Sequence, residues 1–195
     1  MFDDKFVWGV ASSAYQVEGT DPDDGRGKTV WDTFTEQGRI FQNQNAYTSC
    51  DHMHHYKDDY ALMKNLGIKA YRFSLNWARV LPEGTGRINE KAIAMYRDMI
   101  LTMKENGITP YITLFHWEFP QALQEKGGWL NEEVPHWFGE YAKQKIQIGF
   151  APTGGVAYPY TDSAEDIEAA RKVYFGFYDT AENCKRFCIL VSGCD

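Results

Sequence analysis

The feature that most constrains the fold is a repeated alternation of short apolar segments and longer amphipathic segments along 195 residues. Apolar or alternating segments predict four strands, at residues 6–11, 70–77, 109–117 and 146–151. Helical spacing and capping signals predict four helices, at residues 51–66, 89–105, 131–145 and 162–175. Strands that alternate with helices form a parallel sheet with helices outside it, so the predicted class is α/β.

The length of the chain limits how much of a closed sheet it can form. A complete (β/α)8 TIM barrel takes about 250 residues, so this chain is predicted to form a partial (β/α)8 TIM barrel of about four βα units. The first strand is expected to be buried, and Trp8 and Phe73 are expected on inner faces suited to a closed barrel. Two open sheet edges would remain, and we expect a homo-oligomer or aggregation through them.

Charge and hydropathy exclude several partners. The net charge is -7, and no basic stripe runs along any segment, so nucleic acid is not an expected partner. No apolar run approaches eighteen residues, which argues against a membrane span. The N-terminus has neither a basic region nor a long apolar region typical of a secretory signal, so a cytoplasmic protein is expected.

Cysteine and histidine residues do not support a metal site or any other cofactor. Cys184, Cys188 and Cys194 crowd the end of the chain without a Cys-x-x-Cys pair or a nearby histidine. His52 and His55 are three residues apart and share a helix face, so a metal site formed by these two histidines is an alternative. Their acidic and lysine neighbours favour a structural role at a solvated helix end.

On chemistry alone Arg72 is the best candidate for a site, whereas ordinary roles are favoured for Gln16 and His116. Arg72 lies within an apolar strand, where an arginine without a partner is unusual. His116 and Arg72 are at or near the carboxyl ends of predicted strands, where barrel enzymes build their sites. Gln16 follows the first strand, and its amide can both donate and accept hydrogen bonds. The alternatives are ordinary loop chemistry for Gln16 and a satisfied buried histidine for His116.

Several sequence blocks resemble family-1 glycoside hydrolases, which comprise β-glucosidases, 6-phospho-β-glucosidases and their relatives. The N-terminal signature of that family is matched from Gly9 to Gly19. Further blocks match in the same order, at residues 51–52, 56–59, 71–74, 77, 114–117, 120–123 and 127–130. The resemblance is continuous from Phe6 to about Lys143.

The resemblance implies roles for individual residues. Gln16, His116 and Trp117 match positions that contact the sugar next to the scissile bond. Arg72 matches an arginine beside the nucleophilic carboxylate, where a cation lowers the carboxyl pKa. The implied ligands are β-glucosides or 6-phospho-β-glucosides, and the choice between them stays open.

The resemblance also implies that catalytic residues are missing. Family-1 enzymes retain configuration with two glutamates whose carboxyl groups are about 5 to 5.5 Å apart. The acid/base belongs to an Asn-Glu-Pro tripeptide, yet Asn89-Glu90 and Asn131-Glu132 are followed by other residues. The nucleophile belongs to a Glu-Asn-Gly-type motif on the seventh strand, and that strand is not expected here.

The chain is expected to have three parts. Residues 1–143 resemble the N-terminal part of the family barrel, residues 144–177 resemble a later part of it, and residues 178–195 resemble nothing in the family. An internal block is therefore expected to be missing near residues 143–146. The family implies an O-glycosyl hydrolase, and the missing glutamates imply an inactive chain. The alternatives are a catalytically silent sugar-binding or regulatory remnant and a poorly folded product.

Overall fold

The computed structural model describes residues 6–147, which contain three strands and seven α-helices. The strands are β1 (Gly9–Ala11), β2 (Ala70–Ser74) and β3 (Thr109–Thr113). The helices are α1 (Ala14–Val17), α2 (Val30–Glu36), α3 (His52–Asn65), α4 (Trp77–Val80), α5 (Glu90–Glu105), α6 (Gln121–Gln124) and α7 (Val134–Gln147). Short 3-10 turns span Phe41–Asn43 and Gly128–Leu130. None of the helices in this part of the chain combines the length and the apolar character needed to cross a bilayer.

The three strands form one parallel sheet in the order β1-β2-β3. Gly9 pairs with Ala70, and Ala70 pairs with Thr109, so each strand lies beside the next one along the chain. Long helices connect β1 to β2 and β2 to β3. This arrangement confirms the predicted α/β class and the partial parallel sheet.

The core lies between the sheet and the helices. Tyr71 of β2 packs on Tyr60 of α3, with ring centroids 5.9 Å apart, and stacks on Phe73 of its own strand at 5.7 Å. Because alternate residues of a strand share a face, Phe73 lies on the helix-covered face with Tyr71. The prediction that Phe73 lies on the inward face of a barrel was therefore wrong.

The prediction that the first strand is buried was also wrong. Only Gly9–Ala11 form the strand, and Val7, Trp8 and Val10 are 51%, 55% and 37% exposed. β1 is at the edge of the sheet, and its residues are half-buried or exposed.

Capping residues correctly predict the start of α5 and the end of α3. The Asn89 side chain accepts a hydrogen bond from the Ala92 N–H and caps α5, as predicted. Gly67 follows α3 with φ +77°, which is the left-handed conformation that glycine adopts at helix ends.

Two strands end earlier than the alternation of apolar residues predicts. Asn76 caps α4 by accepting the Arg79 N–H at 3.1 Å, so Trp77 begins a helix instead of ending a strand. β3 ends at Thr113, and His116 and Trp117 follow it in a turn.

The predicted fourth strand conflicts with the structure at its beginning. Residues 146 and 147 belong to α7, which runs from Val134 to Gln147. The rest of that strand, residues 148–151, and the predicted helix at residues 162–175 lie outside the described residues. The predicted start of α7 at Asn131 was three residues early, because Asn131 forms a turn in which its Oδ1 accepts the Glu133 N–H at 2.8 Å.

Candidate functional site

The carboxyl ends of the three strands meet at one edge of the sheet because the strands are parallel. We call this the carboxyl edge, and it consists of residues 12–19 after β1, Ser74 at the end of β2, and residues 114–120 after β3. Three of the four predicted site residues belong to it, namely Gln16, His116 and Trp117. Arg72, the fourth, lies at the middle of β2.

The Gln16 side chain is exposed at the carboxyl edge, on the single turn of α1. Its Oε1 accepts a hydrogen bond from the Ser13 hydroxyl at 2.9 Å. The Ala14 N–H donates to Ser74 Oγ at 2.7 Å, which fastens α1 to the end of β2. The turn is therefore anchored while the Gln16 amide faces outward.

His116 is half-buried in the turn after β3. Its Nδ1 is buried without a hydrogen-bond partner among residues 6–147, a state that few buried polar atoms show. Burial and the nearby Arg72 guanidinium both lower the pKa of His116 below its usual value of 6.5. The imidazole is therefore neutral at pH 7 and offers either a donor or an acceptor nitrogen to a polar ligand.

Trp117 is 69% exposed and has φ +77°, a left-handed conformation that bulky residues rarely adopt. Strained backbone of this kind costs about 1–3 kcal/mol and occurs most often at functional sites. The turn thus presents an indole ring to solvent beside the unpartnered imidazole of His116.

Arg72 is half-buried, and its Nε donates to Thr113 Oγ1 of β3 at 2.8 Å. It lies on the face of β2 opposite Tyr71 and Phe73, away from the helices. Within residues 6–147 its guanidinium forms no ion pair with a carboxylate. This cation therefore faces the uncovered side of the sheet and lies near His116.

Sequence analysis missed Glu118, which follows the His116–Trp117 turn. Its side chain is 1% exposed, and burial raises the pKa of Glu118 to about 7. Its two oxygens accept N–H hydrogen bonds from Tyr15 and His116, and the Ser74 hydroxyl also donates to it. A glutamate surrounded by aromatic residues was the signal that could have revealed it.

Sequence analysis also missed the buried ion pair of Glu18 and Arg79. Arg79 Nε donates to Glu18 Oε2 at 3.0 Å, and the two side chains are 2% and 4% exposed. Arg79 also binds Asp24, and the Tyr96 hydroxyl donates to Glu18 Oε1 at 2.7 Å. The pair joins the end of the α1 turn to α4 and α5, so it supports the position of Gln16.

An aromatic groove of about 650 Å³ lies beside Trp117. Its walls include Trp31 and Phe34 of α2 and the rings of Phe115 and Trp129. Trp117 is the one predicted site residue that lines it. The Trp117 indole therefore borders both the groove and the part of the carboxyl edge that carries Gln16 and His116.

The histidines at the start of α3 differ in their surroundings. The prediction of a solvated helix end was wrong for His52, which is 6% exposed and bonds to Asp59 and Tyr60. His55 is exposed beside Asp51. Across residues 6–147, no three His, Cys, Asp or Glu side chains are arranged to hold a metal ion. The three C-terminal cysteines lie outside the described residues.

A Glu-Asn-Gly tripeptide occurs in the chain, but not at the carboxyl edge. Glu105 is the last residue of α5, Asn106 caps the helix, and Gly107 has φ +72° in the turn before β3. The tripeptide therefore lies at the opposite end of the strands and ends a helix.

Comparisons with known proteins identify the family of this chain. The family model for glycosyl hydrolase family 1 matches residues 1–147. β-Glucosidase A from Thermotoga maritima is 46% identical over 143 residues, which are 73% of this chain and 32% of the relative. A 1,4-β-D-glucan glucohydrolase from Thermotoga neapolitana is 43% identical over 143 residues, covering 73% of this chain and 34% of the relative. The chain thus spans about a third of the length of these relatives.

Solved structures give the same result. A family 1 β-glucosidase from Thermotoga maritima superposes with a TM-score of 0.70 over 73% of this chain and 32% of that chain, at 46% identity. The same score and identity hold for the Thermotoga maritima β-glucosidase in complex with castanospermine, again over 73% of this chain and 32% of that one. The chain therefore belongs to glycosyl hydrolase family 1.

Proposed function

We propose that residues 6–147 form the sugar-binding side of a β-glucosidase-type site at the carboxyl edge. Gln16 and His116 would bind hydroxyl groups of a glucose unit, and the Trp117 ring would pack on its apolar face. The observation that carries this proposal is the half-buried, neutral imidazole of His116 beside the exposed Trp117 indole, on the same edge as the exposed Gln16 amide.

We propose unphosphorylated β-glucosides as the sugar class. Relatives at 43% to 46% identity are named β-glucosidase A and 1,4-β-D-glucan glucohydrolase, and neither name refers to a phosphate. A solved structure of the Thermotoga maritima β-glucosidase is in complex with cyclophellitol. The carboxyl edge offers amide, imidazole and indole groups, which suit uncharged hydroxyl groups.

We propose that these 195 residues alone do not hydrolyse glycosides, although the family chemistry is retaining hydrolysis. Asn-Glu-Pro does not occur in them, and Glu105 of the Glu-Asn-Gly tripeptide is at the far end of the strands. The two carboxyl groups of the carboxyl edge are both buried and already bonded, Glu118 to backbone N–H groups and Glu18 to Arg79. Retaining hydrolysis needs two carboxyl groups about 5 to 5.5 Å apart that flank the scissile bond. Arg72 would support a nucleophile supplied by a more complete barrel.

Turnover of an aryl β-glucoside tests this proposal. We expect the purified chain to perform no better than buffer, because loss of a general acid alone costs about 10² to 10⁴-fold. Turnover that persists through purification and disappears with Arg72→Ala would show that the chain is an active glycosidase.

Sugar binding tests the site itself. A glucose titration followed by tryptophan fluorescence is expected to give a dissociation constant on the order of 1 mM, because two or three solvent-exposed hydrogen bonds contribute little. Gln16→Ala should abolish the signal, and Gln44→Ala, at another exposed glutamine, should leave it unchanged. Micromolar affinity lost in Gln16→Ala would favour an evolved sugar-binding module over a damaged enzyme.

We also propose self-association through the sheet edges. Within residues 6–147, the outer edges of β1 and β3 pair with no further strand, and such edges readily pair with another chain. Light scattering should therefore show a mass that increases with protein concentration. A constant monomer mass over a wide concentration range would contradict this proposal.

A further inference from the structure

The buried carboxyl group of Glu118 contacts three separate segments of the carboxyl edge. Oε1 accepts the Tyr15 N–H at 2.9 Å and the Ser74 hydroxyl at 3.4 Å, and Oε2 accepts the His116 N–H at 3.2 Å. Within residues 6–147 no cation forms an ion pair with it. A fully buried glutamate without a counter-charge is rare in proteins, so its hydrogen bonds require an explanation.

We infer that Glu118 is a positioning residue of the sugar site, whose carboxylate couples the turn carrying Gln16 to the turn carrying His116 and Trp117. The Tyr15 N–H is one residue before Gln16, and the His116 N–H is one residue before Trp117. One rigid carboxylate thus fixes the separation of the two turns. The inference takes its functional meaning from the proposed sugar site, but the coupling can be measured without sugar.

The coupling requires a carboxylate and not merely a polar side chain. Each turn supplies a backbone N–H, so both oxygens must accept. A glutamine has one acceptor oxygen and one NH2 group, and the NH2 would face an N–H of one turn. Glu118→Gln therefore keeps the size of the side chain and releases one of the two turns. The exposed Glu132 gives a matched control, Glu132→Gln.

Protonation should weaken the coupling, because it turns one acceptor oxygen into a hydroxyl. Burial raises the pKa of Glu118 to about 7, so this change occurs near neutral pH. The titratable groups that face Glu118 are Glu18, which also raises its pKa, the Tyr141 phenol of α7 and His116. The Tyr141 pKa is raised well above its usual value and the His116 pKa is lowered, so neither interferes near pH 7.

The coupling is tested by backbone amide NMR of the full chain from about pH 5 to about pH 9, a range that brackets the Glu118 titration. We expect the Tyr15 and His116 amide signals to shift together, with one midpoint near 7. Glu118→Gln should remove the shared transition, and Glu132→Gln should retain it. Amide signals that do not move, or that move with different midpoints, would overturn the inference even where Glu118→Gln fails to fold.

Glucose affinity gives the functional measurement. Glu118→Gln should weaken glucose binding about 10-fold, the effect of one lost hydrogen bond, and Glu132→Gln should leave it unchanged. A folded Glu118→Gln chain with wild-type affinity would overturn the positioning role. A wild-type chain that binds no glucose would contradict the proposed function, and the amide titration would still decide the coupling.

Discussion

Glu18 and Glu118 are two buried glutamates that hold the same edge of the sheet by different means. Glu18 is 3% exposed and pairs with Arg79, a cation that is itself 1% exposed. Glu118 is 1% exposed and is held by N–H and O–H groups. The first region balances a buried charge with an opposite charge, and the second balances it only with dipoles.

The difference shows which region can respond to its surroundings. The two regions also differ in backbone strain at one position each. Gly19, which follows Glu18, and Trp117, which precedes Glu118, both have φ +77°. On the Glu18 side glycine adopts that conformation without strain, whereas on the Glu118 side a tryptophan carries the strain. The Glu18 region is built for stability, and the Glu118 region keeps strain and a titratable group beside the proposed sugar site.

The largest effect is expected from Arg79→Met. It leaves Glu18 and Asp24 without their cation, and breaking a buried ion pair typically costs about 3–5 kcal/mol. Urea unfolding measures the loss, and Arg87→Met, at an exposed arginine, should change stability by less than about 0.5 kcal/mol. A loss below about 1 kcal/mol for Arg79→Met would mean that the ion pair does not distinguish the two regions.

The next effect is the pH dependence of stability that Glu118 contributes. Its pKa is about 7 in the fold against an ordinary 4.5, so between these values the folded chain binds more protons than the unfolded chain. At acidic pH, Glu118 therefore contributes about 3 kcal/mol to the free energy of unfolding. This contribution decreases as pH rises and is lost above about pH 7. Urea unfolding at acidic and alkaline pH should show a stability that falls more steeply with rising pH in the wild type than in Glu118→Gln. Equal slopes would contradict it.

A smaller loss is expected from Gly19→Ala. The added Cβ would lie 2.7 Å from the Thr48 carbonyl oxygen, in addition to the strain of a positive φ, so we expect a loss of about 2 kcal/mol. Gly67→Ala is the matched control, because Gly67 has the same φ of +77° and no atom within 4 Å of its Cβ position. Thermal unfolding of both variants should show the larger loss of stability for Gly19→Ala. Equal losses would mean that the contact between the added Cβ and the Thr48 carbonyl oxygen does not lower stability.

The smallest effect should have the opposite sign. Trp117→Gly removes the strain of a positive φ at a side chain that is 69% exposed, so we expect a gain of about 1 kcal/mol. Trp129→Gly is the control, since it removes ring packing on Phe119 at 4.8 Å without relieving strain, and should destabilise the chain. Glucose binding should weaken in Trp117→Gly. A loss of stability there would show that the indole is held by packing.

The order of strands and helices could be predicted from sequence because its signals are local. The cap at Asn89 and the glycine at Gly67 each act within a few residues. The ends of β2 and β3 could not be predicted, because the alternation of apolar residues continues beyond Ser74 while Asn76 starts a helix. The exposure of β1 depends on its place at the edge of the sheet, which no local pattern encodes.

Members of the candidate site could be proposed from sequence where a resemblance supplied their positions, and not where distant residues meet. Gln16, His116 and Trp117 were found through family blocks, and the structure places them at one edge. Glu118 was missed because its partner Tyr15 is 103 residues away in the chain. Arg79 was missed for the same reason, since Glu18 is 61 residues away.

The strand order β1-β2-β3 has a consequence for biosynthesis. β2 and β3 each pair with the strand made just before them, so neither must wait for a later strand before it can find a neighbour. At about 5–20 residues per second, a ribosome takes several seconds to release the next strand after its neighbour has emerged. The sheet can therefore grow stepwise on the nascent chain, with α3 and α5 packing onto each new strand as it appears.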